Sequence, residues 1–220
     1  MRRWVRENSL SVALFGLFVL FLTAQSLTGW RSSNADRKEH DQPTLSYGTY
    51  LTSAHFVEAT FENWESEFLQ MAAYIVLTVW LVQKGSSESK PLDGDPELDA
   101  DPRMQRDKKD APGPVRKGGW PLVVYENSLG LAFAILFLMS ITLHALGGAR
   151  EYSAEQVAHG GAPVSVGQFV TTSTFWFQSF QNWQSEFLAV GLIVVLSIFL
   201  RQKGSPESKP VAAPHTETGS

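Results

Sequence analysis

Two stretches of the chain carry no charged residue for about twenty positions: Leu10 to Trp30, and Asn127 to Ala149. A helix of ~20 apolar residues is long enough to cross the hydrocarbon core of a bilayer. The pattern therefore predicts spans over about residues 9–29 and 122–147. Each run ends at glycine, Gly29 in the first and Gly147-Gly148 in the second, where a C-terminal glycine would stop the helix. The first run also has the basic start of a signal peptide (Arg2, Arg3, Arg6), with a poor cleavage site at Thr23-Ala24-Gln25. The second run argues against that alternative, because it is of the same kind and lies mid-chain.

From Tyr50 the period changes. Val57, Phe61, Trp64 and Phe68 fall at i, i+4, i+7 and i+11 on one helical face, and Trp176, Phe180, Trp183 and Phe187 trace the same face again. The uncharged part, Phe68 to Val82, is too short to span by itself. Counting back ~20 residues from Lys84 and from Arg201 predicts spans over about 64–83 and 182–202. The aromatic stripes before them predict an amphipathic helix lying in the interface ahead of each of these spans. Residues 31–46, with Pro43, and 150–168, with Gly160-Gly161 and Pro163, are polar and are expected to be external loops.

These patterns are one pattern met twice. Phe61-Glu62-Asn63-Trp64-Glu65-Ser66-Glu67-Phe68-Leu69 returns 119 residues later as Phe180-Gln181-Asn182-Trp183-Gln184-Ser185-Glu186-Phe187-Leu188. The same offset joins Glu7-Asn8-Ser9-Leu10 to Glu126-Asn127-Ser128-Leu129, and Gln83-Lys84-Gly85-Ser86 to Gln202-Lys203-Gly204-Ser205. One offset serving blocks from residue 7 to residue 91 is the mark of a tandem duplication. The expected organisation is a first repeat over 1–84, a disordered charged cytoplasmic linker over 85–118, a second repeat over 119–204 and a disordered tail over 205–220. The expected fold class is an all-α membrane protein of four transmembrane helices, arranged as two tandem parallel two-helix repeats.

Charge then sets orientation. If the termini and linker are cytoplasmic, fourteen of the 18 Lys and Arg residues lie inside and four outside, a strong positive-inside bias. The chain is thus expected to be a multi-pass protein of the bacterial plasma membrane with both termini in the cytoplasm. The net charge of −4 does not suit a nucleic-acid surface, and the absence of cysteine excludes disulfides, thiolate metal sites and cysteine nucleophiles. Trp4 and Trp120 beside the inner ends are expected as interfacial anchors, and Trp64 and Trp183 toward the outer ends as anchors there or as packing between the repeats.

The candidate functional polar residues come from comparing the copies. Asn63, Ser66 and Glu67 are kept as Asn182, Ser185 and Glu186, whereas Glu62 and Glu65 become Gln181 and Gln184, so charge at those two sites reads as dispensable. An ionisable residue inside a span is a functional hypothesis; at headgroup level Glu67 would be a solvated or capping carboxylate. His144 and Glu186 would meet in an antiparallel hairpin, as a proton relay or as one interhelical hydrogen bond. Glu7-Asn8 and Glu126-Asn127 are expected to satisfy free amides in the first helical turn. No phosphate loop, nucleophile elbow, dinucleotide motif or metal spacing is present, so no catalytic, cofactor or metal residue is assigned and an enzyme is not expected.

The Glu-Asn-Ser-Leu, Asn-Trp-x-Ser-Glu-Phe-Leu and Gln-Lys-Gly-Ser-x-Glu-Ser-Lys-Pro blocks resemble those of a bacterial family of small integral membrane proteins with no assigned function. The resemblance implies membrane location and no activity. The expectation is a structural or interaction role in the plasma membrane, with the lipid bilayer and a homo-oligomer or another membrane protein as partners, and no cofactor or nucleic acid. The alternative is a small transporter or ion-conducting protein using Glu67 and Glu186.

Overall fold

The computed structural model describes Arg2–Gly219. Helices are its only regular elements among the described residues: α1 (Arg2–Glu7), α2 (Ser9–Glu39), α3 (Tyr47–Tyr50), α4 (Ala54–Trp80), a 3₁₀ turn (Pro102–Gln105), α5 (Gly113–Lys117), α6 (Gly119–Glu126), α7 (Ser128–Ala158), α8 (Val166–Phe169) and α9 (Ser173–Phe199). The bounds of α7, α8 and α9 each equal those of α2, α3 and α4 shifted by 119 residues.

Among the described residues, three helices are long and apolar enough to cross a membrane: α2, α7 and α9. Their apolar side chains point outward, with Leu10, Phe15 and Phe21 each more than three-fifths exposed. That much unpartnered apolar surface on three long helices is what a lipid environment requires and water penalises. Helix α4 has the same 27-residue length as α9 but is not among the three. Glu58, Glu62, Glu65 and Glu67 all lie along its first half.

Several local expectations are corrected. Gly29 and Gly147-Gly148 do not end their helices: α2 runs on to Glu39 and α7 to Ala158, so much of residues 31–46 and 150–168 is helix and not loop. The glycines are kept for close approach. The phenol of Tyr50 lies where a side chain on Gly29 would go, and a Cβ on Gly147 would sit 2.7 Å from the backbone nitrogen of Glu58. The helix that carries the first aromatic stripe does not begin at Tyr50. The chain ends α3 there, turns through 51–53, and starts α4 with the Ser53 hydroxyl accepting from the amide of Phe56 at 3.3 Å.

The chain divides into two compact units, Met1–Phe61 with Thr142–Phe175, and Glu62–Ile141 with Trp176–Ser220. In the first unit two helix-to-helix corners share one construction. The Ser46 side chain caps α3 and the Ser165 side chain caps α8. Asn34 Oδ1 accepts from the amide of Leu45 at 2.7 Å, and the Ser153 hydroxyl accepts from that of Val164 at 3.0 Å. The corner aromatics Tyr50 and Phe169 are buried, and each packs on the next helix's Phe56 or Phe175 with ring centroids 5.5 Å apart.

The second unit holds the later halves of α4 and α9 and the start of α7. Phe68 packs against Phe133, and Phe137 edge-on against Trp183, at centroid distances of 6.3 and 6.2 Å. Residues 85–118 carry the 3₁₀ turn and α5, where Ala111 and Val115 form a small buried cluster with Leu122 of α6. After α4 and again after α9 the chain makes the same turn, with Gly85 and Gly204 at φ 87° and 83°, the left-handed region that favours glycine. There Ser89 and Ser208 hydroxyls accept from the amides of Gln83 and Gln202 at 2.8 and 2.9 Å. The basic exit sequence is therefore a folded turn, in which a serine hydroxyl takes up the amide of the glutamine just past the helix.

Candidate functional site

Within the second unit, the polar residues of α4 and α9 meet in one seam. Glu65 is completely buried. Its Oε1 accepts from the Ser179 hydroxyl at 2.8 Å and from the indole N–H of Trp183 at 3.3 Å. Three residues earlier on α4, Glu62 Oε1 accepts from the Asn182 amide at 2.7 Å. The spacing explains the pairing: Glu62 and Glu65 lie three apart on α4, and Ser179, Asn182 and Trp183 lie three and four apart on α9, so each set occupies one face. A buried carboxyl without donors is costly, and its removal from between two helices would strand the donors in turn.

This seam was not legible in the sequence. Comparing the copies marked Glu62 and Glu65 as sites where charge is dispensable, because their counterparts are Gln181 and Gln184. The folded chain uses the two copies differently: Glu65 is the buried acceptor, whereas Gln184 is exposed and turns its amide to the carbonyl of Gln181 at 3.1 Å. A signal was present in Ser179, which is fully buried and has Thr60 as its counterpart. Two small hydroxyl residues on otherwise aromatic faces mark places where a neighbouring helix comes close.

The residues singled out from the sequence fall as follows. Glu67 is exposed and Glu186 half-buried, with Glu67 near enough for its charge to act on Glu186. Asn63 is exposed, and its carbonyl accepts from the Ser66 hydroxyl at 2.7 Å. Asn182 is the member of the expected set that enters the seam. His144 belongs to the first unit, where it is fully buried and stacks on Phe175 with centroids 5.0 Å apart; Glu186 belongs to the second. Trp4 and Trp120 are largely exposed, as anchors would be. Trp64 packs on Phe68 at 6.4 Å, and Trp183 is occupied by Glu65 and Phe137.

Asn8 and Asn127 work at the opposite polarity from that expected. Their side-chain amides donate to the carbonyls of Trp4 and Val123, both at 2.8 Å. They close the ends of α1 and α6 instead of opening α2 and α7, and Glu7 pairs with Arg3 at 2.7 Å.

At the far end of α4 a second polar group gathers. The Tyr74 hydroxyl donates to the carbonyl and to Oε2 of Glu88, at 3.2 and 3.3 Å. Glu88 is half-buried; burial first, and then the charge of Glu207, push its carboxyl above the ordinary carboxylate range. No ion pair involves Glu88 or Glu207 among the described residues. Nearby, the Ser86 and Ser197 hydroxyls share a hydrogen bond of 2.8 Å. The ammonium of Lys209, almost wholly buried, donates to the carbonyls of Gly85, Pro214, His215 and Glu217. Loss of water around it, with Arg201 adding repulsion, lowers its pKa. No group of three metal-ligating side chains occurs among the described residues.

Over residues 1–220 the chain matches a family described as a domain of unknown function, DUF6766. No curated protein and no solved structure matches it significantly.

Proposed function

Because the chain belongs to the DUF6766 family, whose description assigns no activity, we propose its role from the way its helices are held. The protein is a four-helix membrane protein of the bacterial plasma membrane with a structural or interaction role. Both termini lie in the cytoplasm, by the positive-inside bias. The four spans form two tandem repeats over 1–84 and 119–204, joined by the 85–118 linker and followed by the 205–220 tail. The recurrent sequence blocks and the common 119-residue shift of element bounds support the duplication.

One observation carries this reading: Glu65 is buried and its carboxyl is taken up by Ser179 and Trp183 of α9. That pairing makes α4 tolerable as a fourth span, since the group that most disqualifies it is met by donors on a neighbour that is itself apolar enough to cross. It also assigns the most buried acid to holding helices together. In this reading the protein catalyses nothing, holds no cofactor, and has as partners the bilayer and a second copy or another membrane protein. The exposed apolar faces of α2 supply the surface for either.

A second reading, cation or proton conduction, is favoured by the placement of Glu67 near enough for its charge to act on Glu186. Flux measured in proteoliposomes across cation and pH gradients separates the two. The structural role predicts none. Flux in the wild-type protein that vanishes in the Glu67→Gln/Glu186→Gln variant overturns it in favour of conduction.

A further inference from the structure

The second unit carries a cleft of about 680 Å³ between the ends of α4 and α9. Leu77, Leu81, Phe187 and Val190 make its apolar walls, and Tyr74 and Glu88 supply polar lining. This volume lies in the range of sites that enclose an extended small molecule, apolar along the walls with a few polar groups to orient it. We propose that the cleft holds one phospholipid bearing a primary ammonium headgroup, an acyl chain along the apolar walls and the ammonium against the Glu88 carboxylate.

Three features single out this occupant. First, the walls belong to a surface that lipid must cover: Trp80 and Leu81 are 71% and 60% exposed, and Leu188 on the facing helix is 60% exposed. An acyl chain is the material already present at such a surface. Second, the polar lining carries charge without a counter-charge. Glu88 accepts from Tyr74 and has Glu207 as a charged neighbour, while none of the ion pairs among the described residues includes either carboxylate. A cation placed there relieves the repulsion and gains a charge-assisted hydrogen bond. Third, the floor is left open. Gly191 lines the cleft, and a Cβ there would meet nothing within 4 Å. Copy one has Ala72 at the matching position, so the α9 helix does not itself demand glycine. The space over Gly191 is room for a ligand.

The inference rests on the membrane reading above, and the two are tested separately. Resistance of the protein to alkaline extraction from membranes reports on membrane insertion alone. Lipid selectivity is then measured on the purified full chain in detergent by native mass spectrometry. The probes are phosphatidylethanolamine and phosphatidylglycerol of matched acyl chains. The expected result is one retained phosphatidylethanolamine, favoured over phosphatidylglycerol about tenfold or more, roughly the weight of one charge-assisted contact. Glu88→Gln keeps the shape and hydrogen bonding of the site and should erase the preference. Gly191→Leu fills the cleft from a position with free space and should reduce retention of both lipids, with the melting temperature unchanged. Equal retention of the two lipids by the wild-type protein, or an undiminished preference in Glu88→Gln, overturns the proposal. Unchanged retention in a folded Gly191→Leu variant overturns the location.

Discussion

The ring of Phe169 fills the space that a side chain on Gly148 would need: a Cβ built there lies 2.6 Å from the ring. Phe169 is fully buried and has no room to swing aside. Gly148→Ala should therefore lower the melting temperature in detergent by the equivalent of about 1–3 kcal/mol, the usual cost of overpacking. Gly29→Ala should do the same against Tyr50. Gly191→Ala is the control, because its Cβ meets nothing and alanine is the better helix former. Equal effects at all three positions would mean that the glycines are not there for close approach.

Glu65 and Gln184 occupy matching places in the two copies, and only Glu65 is buried. Glu65→Ala strands the Ser179 hydroxyl and the Trp183 indole, and should destabilise by about 1–3 kcal/mol. Glu65→Gln keeps an acceptor oxygen and should cost less. Gln184→Ala should stay within ±0.5 kcal/mol, as exposed substitutions do. Thermal unfolding of the three variants in one detergent gives the ranking. An inverted order would remove Glu65 from its place as the clasp.

Orientation can be read by labelling single cysteines in intact cells, since the chain has none of its own. Gln42 and His159 are exposed just beyond α2 and α7, and Glu97 is exposed between the two halves. An impermeant thiol reagent should modify Gln42→Cys and His159→Cys and spare Glu97→Cys. The reverse pattern would invert the positive-inside assignment.

Glu88 gives the fold a small dependence on pH. Its folded pKa lies above the ordinary 4.5, through burial and then Glu207. The folded state thus holds a proton at pH values where the unfolded chain has released it. The associated stability is fully present below the unfolded pKa and is lost as pH rises through the folded value. Exposure keeps the effect under ~1 kcal/mol. Melting temperature should fall slightly from pH 4.5 upward in lipid-free detergent, and Glu88→Gln should flatten that decline. A rise over the same window in wild type would contradict the direction of the shift.

The two long apolar runs determined α2 and α7 as long helices from the sequence alone. Twenty uncharged residues have few alternatives to helix where backbone groups must be satisfied internally. The resemblance to a family of no assigned function was also carried by short sequence blocks, and the family match over residues 1–220 bears that much out. What the glycines do could not be read the same way. A glycine at the end of an apolar run is compatible with a helix stop or with a neighbour pressing close, and only the position of Tyr50 over Gly29, or of Phe169 over Gly148, decides which. The same holds for the acids. Two copies in one chain differ by Glu65 against Gln184, and the sequence alone weighs them equally. Tertiary packing does not, because Ser179 and Trp183 converge on one of them and leave the other exposed. Periodicity is a property of neighbours along the chain, but the worth of a buried carboxyl depends on donors more than a hundred residues away, and that is settled only when α4 and α9 meet.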